Sequence, residues 1–288
     1  MSQPTPAQVI ETQRQDWNRV APGWEKWDHI LDENMTCLNH RLVADARLRP
    51  GLHVLDLGSG TGYPSLLAAQ AVGPAGRVIG IDLADHMSAA GERKAKKLGL
   101  ANVEFRTGDV TRLPFESGSF DAVISRFCLM FLPEIAKGLA EVSRVLKAGG
   151  YLAAAVWSAP AGNPFLQIPI DTIKRFIELP PPDPEAPGIF RLAKPGDLAA
   201  FAKGAGLIFV GEEEFTADVR FSSARDYYDS LIDMAAPIQN LFAKLSPEQR
   251  QEAEQHILDA ANAYRQDKMV TLPIAVRFVA ARKQPQTP

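Results

Sequence analysis

The sequence predicts an α/β protein built on a doubly wound, mostly parallel sheet, and three observations carry that prediction. Between positions 52 and 157 short apolar runs alternate with longer segments of helical period. Each run is nearly continuous in apolar residues, as expected when helices cover both faces of a parallel sheet. Glycines punctuate the pattern: Gly73, Gly99 and the pair Gly149-Gly150 stand where successive helical segments stop.

The elements follow in order. His53 to Leu57 reads as the first strand, Pro64 to Val72 as a helix with proline in its first turn, and Arg77 to Ile81 as the second strand. A helix from about His86 to Leu98 leads to strands Val103 to Arg106 and Phe120 to Ser125. The next helix places Ile135, Leu139, Val142 and Leu146 on one face, before the strand Tyr151 to Trp157. Ahead of this block lie about 50 residues of helical pattern, expected to break at Pro22-Gly23. Leu38, Leu42 and Ala46 share one face of the later helix, which is expected to cover one end of the sheet. Behind it, Pro160 to Gly188 contains Pro180-Pro181-Pro182-Asp183-Pro184 and reads as a loop or lid. A short helix carries Leu198, Phe201, Ala202 and Ala205, and a strand from Leu207 to Val210 continues through Phe221. A helical insertion follows, whose second half opens on the capping sequence Ser246-Pro247-Glu248-Gln249. Thr271 to Ala280 reads as a last strand. The expected organisation is a helical cap over 1–50, an α/β core over 51–158, lid insertions with the strands that complete the same sheet over 159–283, and a frayed tail over 284–288.

Composition narrows the function classes. The 288 residues are 46% hydrophobic and 23% charged, the balance of a globular chain and not of a disordered one. With 31 basic against 34 acidic residues, and no long block of like charge, nucleic acid is not expected as a partner. Two cysteines, Cys37 and Cys128, are too few for a disulfide scaffold or a four-ligand zinc site. No stretch has signal-peptide character or the roughly 20 apolar residues of a membrane span, so a cytoplasmic protein is expected.

The chemistry concentrates in Val54-Leu55-Asp56-Leu57-Gly58-Ser59-Gly60-Thr61-Gly62, a buried strand with an acid near its end and three alternate glycines before a helix. Such glycines let a ligand approach the backbone, and the amides of a helix start attract an anionic group. A dinucleotide pyrophosphate would be repelled by a carboxylate inside the turn, which speaks against a nicotinamide oxidoreductase. S-adenosylmethionine carries an ammonium that suits Asp56 and a carboxylate that suits the helix amides. Asp82, directly after the second strand, is placed to take both ribose hydroxyls. Asp109, after the third, is placed to accept from the adenine amino group while the Val110 amide meets a ring nitrogen. All three acids fall at the carboxyl ends of neighbouring strands, where open α/β sheets bind ligands.

With VLDLGSGTG, VIGIDLADHM, GDVTRLPFESGSFDAVISR and EVSRVLKAGGYLAAAVW, residues 50 to 158 resemble the class I S-adenosylmethionine-dependent methyltransferases. The similarity is to the small-molecule branch that includes the ubiquinone and menaquinone C-methyltransferases. The resemblance implies a Rossmann-like, seven-stranded sheet with an antiparallel last strand. It implies that Asp56 and the loop Gly58, Ser59, Gly60, Thr61 and Gly62 hold the methionine part, Asp82 the ribose, and Leu83 and Met87 the adenine faces. Asp109 and Val110 would read the adenine edge, with Ser125 and Arg126 near the methionine end.

Phe127 to Phe131 form an apolar wall after the fourth strand, which points to a small apolar or aromatic acceptor methylated at C, O or N. Methyl transfer from a sulfonium is one in-line displacement, so alignment and exclusion of water suffice and no catalytic residue is obligatory. His29 and His40 are the candidates for removing a proton at neutral pH. Cys128 has no neighbouring base to make it a nucleophile. A sensor that binds S-adenosylmethionine without transferring its methyl group is the alternative reading, and no metal is expected.

Overall fold

The computed structural model describes residues 4–285 apart from 180, 182 and 184. The proline run of the expected lid and the end of the tail therefore lie partly outside the described residues.

Five parallel strands form the centre: β1 (His53–Leu57), β2 (Arg77–Asp82), β3 (Val103–Thr107), β4 (Phe120–Arg126) and β5 (Leu146–Trp157). Helices α3 (Ser65–Val72), α4 (Asp85–Lys97) and α5 (Ile135–Val145) connect them. The sheet continues through β8 (Met269–Lys283), antiparallel to β5, and β6 (Leu207–Phe221) on its far side, in the order β3-β2-β1-β4-β5-β8-β6. That path has the seven strands and antiparallel last strand of the resemblance. An eighth, the two-residue β7 (Arg265–Gln266), pairs with β8 outside it. Val54, Leu55, Leu57, Val123, Ile124 and Leu152 are wholly buried, so the core lies on both faces of β1, β4 and β5.

Four local expectations need correcting. Helix α1 (Pro6–Lys26) runs straight through Pro22 and Gly23 and ends at Trp27. Proline costs a helix the bond to the carbonyl four residues back, here Asn18, and that oxygen instead faces the His86 ring at 3.4 Å. Gly23 is required by packing: a Cβ there would lie 2.2 Å from the Asp233 carbonyl oxygen. Helix α2 (Asp28–Asp45) buries Leu38 and Leu42 against β4, β5 and β6, on the face of the sheet and not at its end. Gly149 and Gly150 do not end α5. They lie within β5, where the register with β4 slips between Phe120 and Ala122 and Gly149 adopts φ +78°.

The fourth correction concerns Pro160 to Gly188, which is not loop throughout. Asn163 starts α6 (Pro164–Ile173), with Pro164 in the first turn, and its buried side chain ties the segment to Ala275 of β8 through both amide groups. After α7 (Asp197–Gly204) and β6 come α8 (Ala224–Met234), α9 (Ala236–Phe242) and α10 (Pro247–Asn262), the last with the expected capping box between Ser246 and Gln249. Among the described residues no helix is long and apolar enough to cross a membrane.

Candidate functional site

The strand ends converge on one cavity of about 220 Å³. Gly58, Gly60 and Thr61 line it from the loop after β1, Asp82, Leu83 and Met87 from the end of β2 and the start of α4, and Asp109 and Val110 from the turn after β3. Arg126, Phe127 and Cys128 line it from the end of β4. This places nine of the residues expected from the sequence, Gly58, Gly60, Thr61, Asp82, Leu83, Met87, Asp109, Val110 and Arg126, around a common space.

The glycine loop is held from below. The amides of Gly58 and Ser59 both donate to the Ile81 carbonyl, the amide of Gly62 donates to the Ser59 carbonyl, and that of Gly60 donates to Asp82 Oδ2 at 2.9 Å. Asp82 Oδ1 accepts from the Ala84 amide at 2.9 Å. Burial pushes the Asp82 carboxyl above its ordinary value, against these backbone bonds. Gly60, at φ +53°, has nothing within 4 Å of where a Cβ would stand, so its open side faces the cavity. Gly58, at φ +66°, is packed instead: a Cβ would meet Cys128 Cβ at 2.5 Å. Gly62 is likewise packed, against Leu66. Asp109 accepts from the Thr111 amide and hydroxyl, both at 2.8 Å, which orients its carboxylate.

Asp56 sits differently from the expectation. It is wholly buried behind the loop and does not line the cavity. Its Oδ2 accepts from Ser65 Oγ at 2.5 Å at the start of α3, while Oδ1 has no partner among the described residues. Desolvation lifts its carboxyl to about 7, opposed by Ser65 and by the charge of Arg126. Ser125 is also buried off the cavity, donating to the Leu57 carbonyl at 3.2 Å, and the Ser59 hydroxyl is buried with no partner among the described residues. The two histidines are not brought to the site. His29 is exposed and stacks on Trp27, and His40 is exposed beside a separate polar depression with Asp32, Thr36 and Asn39.

The other half of the cavity is apolar, and sequence reasoning reached it only in part. Phe127 and Trp157 stack face to face with centroids 4.0 Å apart. Phe127 holds φ +56°, a strained value for an aromatic residue, fixed by that stack and by its amide bond to the Ala155 carbonyl. Trp17 and Trp24 of α1, Phe165 and Leu166 of α6, and Leu231 and Met234 of α8 close the walls. The Trp24 indole N–H donates to the Met234 carbonyl at 2.9 Å, and the Trp27 indole donates to Asp233, so α1 and α8 meet as one roof. Burial pushes the Cys128 thiol far up, so it is protonated at neutral pH.

An open parallel sheet, a glycine loop after its first strand and acids at the ends of the next two define the class I methyltransferase fold. Residues 54–150 match the family model of the methyltransferase domain. It is 40% identical over 145 residues to the demethylmenaquinone methyltransferase of Listeria welshimeri, covering 50% of this chain and 61% of that protein. It is also 40% identical over 122 residues to the arsenite methyltransferase of Halobacterium salinarum, covering 42% and 31%. The chain thus spans about three fifths of the length of the quinone-enzyme relatives it matches. Among solved structures it resembles phosphoethanolamine N-methyltransferase 2 of Haemonchus contortus, with a TM-score of 0.57 and 21% identity over 99% of this chain and 62% of that one. The cyclase SpnF, with a TM-score of 0.55 and 21% identity over 87% and 81%, shares the fold as well.

Proposed function

We propose that this chain is an S-adenosylmethionine-dependent methyltransferase acting on a small apolar or aromatic molecule. The observation that carries the reading is the division of one cavity into two chemistries. Loop glycines and two oriented carboxylates line one end, and aromatic and aliphatic side chains line the other. The residues fit the donor: Gly60 leaves room for a ligand against the backbone, and Asp82 and Asp109 keep acceptor capacity beyond their internal bonds.

In this reading Asp82 accepts from the ribose hydroxyls, Leu83 and Met87 flank the adenine, and Asp109 with Val110 meets its edge. Thr61 and Gly60 border the methionine part, and Asp56 supports the loop from behind through Ser65. When bound, S-adenosylmethionine supplies an electrophilic methyl group on a sulfonium. Trp17 and Trp24 offer aromatic faces that shield a cation from water. The walls from α6 and α8 hold the acceptor in line and keep the site dry. Transfer is direct, because the buried thiol of Cys128 stays protonated. The unpaired Cys37 and Cys128 suit a reducing, cytoplasmic setting.

Two measurements test the reading. Calorimetry should show binding of S-adenosylmethionine and S-adenosylhomocysteine and none of NAD(H). Incubation of a small-metabolite pool with methyl-labelled donor, followed by mass spectrometry, should show label on an apolar product. Donor binding with no labelled product from any pool would favour the sensor reading, and NAD binding alone would overturn both.

A further inference from the structure

The β6 edge of the sheet carries a surface that the cavity does not use. Ile208, Phe209 and Val210 are exposed at 43%, 38% and 45%, three apolar residues in succession on an edge strand. Alternation along the strand and a slip of register between Phe209 and Gly211 turn them to both sides of it. Contiguous exposed apolar side chains mark a contact surface, whereas scattered ones are ordinary. These lie at the end of the sheet opposite the cavity. Ile208 stands in line with Arg282 of β8 and Tyr151 of β5, and the cavity-lining Trp157 is six residues further along β5, about 20 Å away.

The charges around the three residues are of one sign. In the row that holds Ile208, the guanidinium groups of Arg47 and Arg282 lie 4.6 Å and 5.6 Å from the Tyr151 ring centroid. The Lys203 ammonium lies 5.1 Å from the Phe209 ring centroid, and Lys283, which pairs with Leu207, donates to the Leu146 carbonyl at 2.7 Å. Among the described residues none of these four cations has a carboxylate partner. The neighbouring acids are neutralised instead. Glu213 and Asp45 pair with Arg41 at 2.7 Å and 2.8 Å, and Glu212 and Glu214 pair with Arg277 at 3.2 Å and 2.9 Å. The corner is therefore apolar at its edge and cationic around it.

We propose that this corner docks on an anionic lipid surface, with Ile208, Phe209 and Val210 entering the headgroup layer and Arg47, Lys203, Arg282 and Lys283 facing its charge. Cations beside apolar side chains suit such a layer, because both kinds of group are satisfied at the same depth. Other occupants fit less well. A second copy centred on Phe209 would bring two Lys203 ammonium groups, each held beside a Phe209 ring, toward one another. An added strand needs a regular run of free backbone groups, and the slip of register at Val210 interrupts it. Docking here leaves the cavity, at the other end of the strands, clear of the surface.

The test is co-sedimentation with vesicles of phosphatidylcholine, alone or with about one third phosphatidylglycerol. With a net charge of −3 the chain as a whole is repelled by an anionic surface, so binding requires a local patch. The unaltered protein should bind the anionic vesicles about tenfold or more tightly than the neutral ones, and less so as salt is raised. Lys203→Gln should weaken that binding about fivefold, and Phe209→Ser by a similar factor. Both positions are exposed, so thermal unfolding should be unchanged. Replacing the exposed Lys96 and Lys97 of α4 by glutamine should leave binding within about twofold. Equal binding to both kinds of vesicle, or equal losses from the α4 and β6 substitutions, would overturn the proposal. Sedimentation showing a dimer that Phe209→Ser converts to monomer would overturn it too, by giving the corner to a second copy.

Discussion

Asp56→Asn probes the buried support of the glycine loop through its pH dependence. Asp56 is completely buried, and desolvation raises its carboxyl from 3.8 to about 7 despite the Ser65 bonds and the positive charge of Arg126. A folded pKa above the unfolded one means that the stabilisation is complete below about pH 3.8 and is lost as pH rises through about 7. At 1.36 kcal/mol per tenfold step, the full loss is about 4 kcal/mol, of which more than half falls between pH 5 and pH 8. Asparagine keeps an oxygen for the Ser65 hydroxyl and never ionises. Urea unfolding of both proteins at pH 5, 6, 7 and 8 should therefore show the variant gaining on the parent by about 2–3 kcal/mol across the series. A difference independent of pH, or one that moves the other way, would refute the reasoning that burial dominates this carboxylate.

The same geometry separates the two glycines that line the cavity. Gly58→Ala combines a left-handed backbone with a collision against Cys128 and should cost about 2–4 kcal/mol in thermal or denaturant unfolding. Gly60→Ala meets no atom within 4 Å, so it should cost only the backbone strain, about 1–2 kcal/mol, while its methyl group blocks donor binding in calorimetry; comparable behaviour of the two variants would refute the distinction. Asp82→Ala should reduce S-adenosylhomocysteine affinity about tenfold or more in a folded protein, and unchanged affinity would remove Asp82 from the site. Cys128→Ala should retain most transfer activity, and digestion after incubation with methyl-labelled donor should find no label on Cys128; stoichiometric label discharged by an acceptor would make the thiol catalytic.

The glycine-loop end of the cavity was legible because its parts are local. A strand followed by three alternate glycines, and acids directly after β2 and β3, occupy fixed places once the strands are parallel. What spacing could not show was where each group spends its hydrogen bonds. Asp56 faces Ser65 and not the cavity, and the amides of Gly58, Ser59, Gly60 and Gly62 are already committed to protein partners. The apolar end was legible only as an apolar segment after β4, because its remaining walls come from α1, α6 and α8, brought together by contacts across long stretches of chain such as Trp24 with Met234 and Tyr227 with Phe165. Those helices lie outside the span that matches the family model. They pack on one another over a core whose strands they do not build, so substitutions at Phe165, Leu231 or Met234 can reshape the apolar end of the cavity while β1 to β5 and the glycine loop keep their register. Under the proposed function, that separation is a physical route by which one core serves different acceptors, and specificity would then reside in the roof and not in the glycine loop.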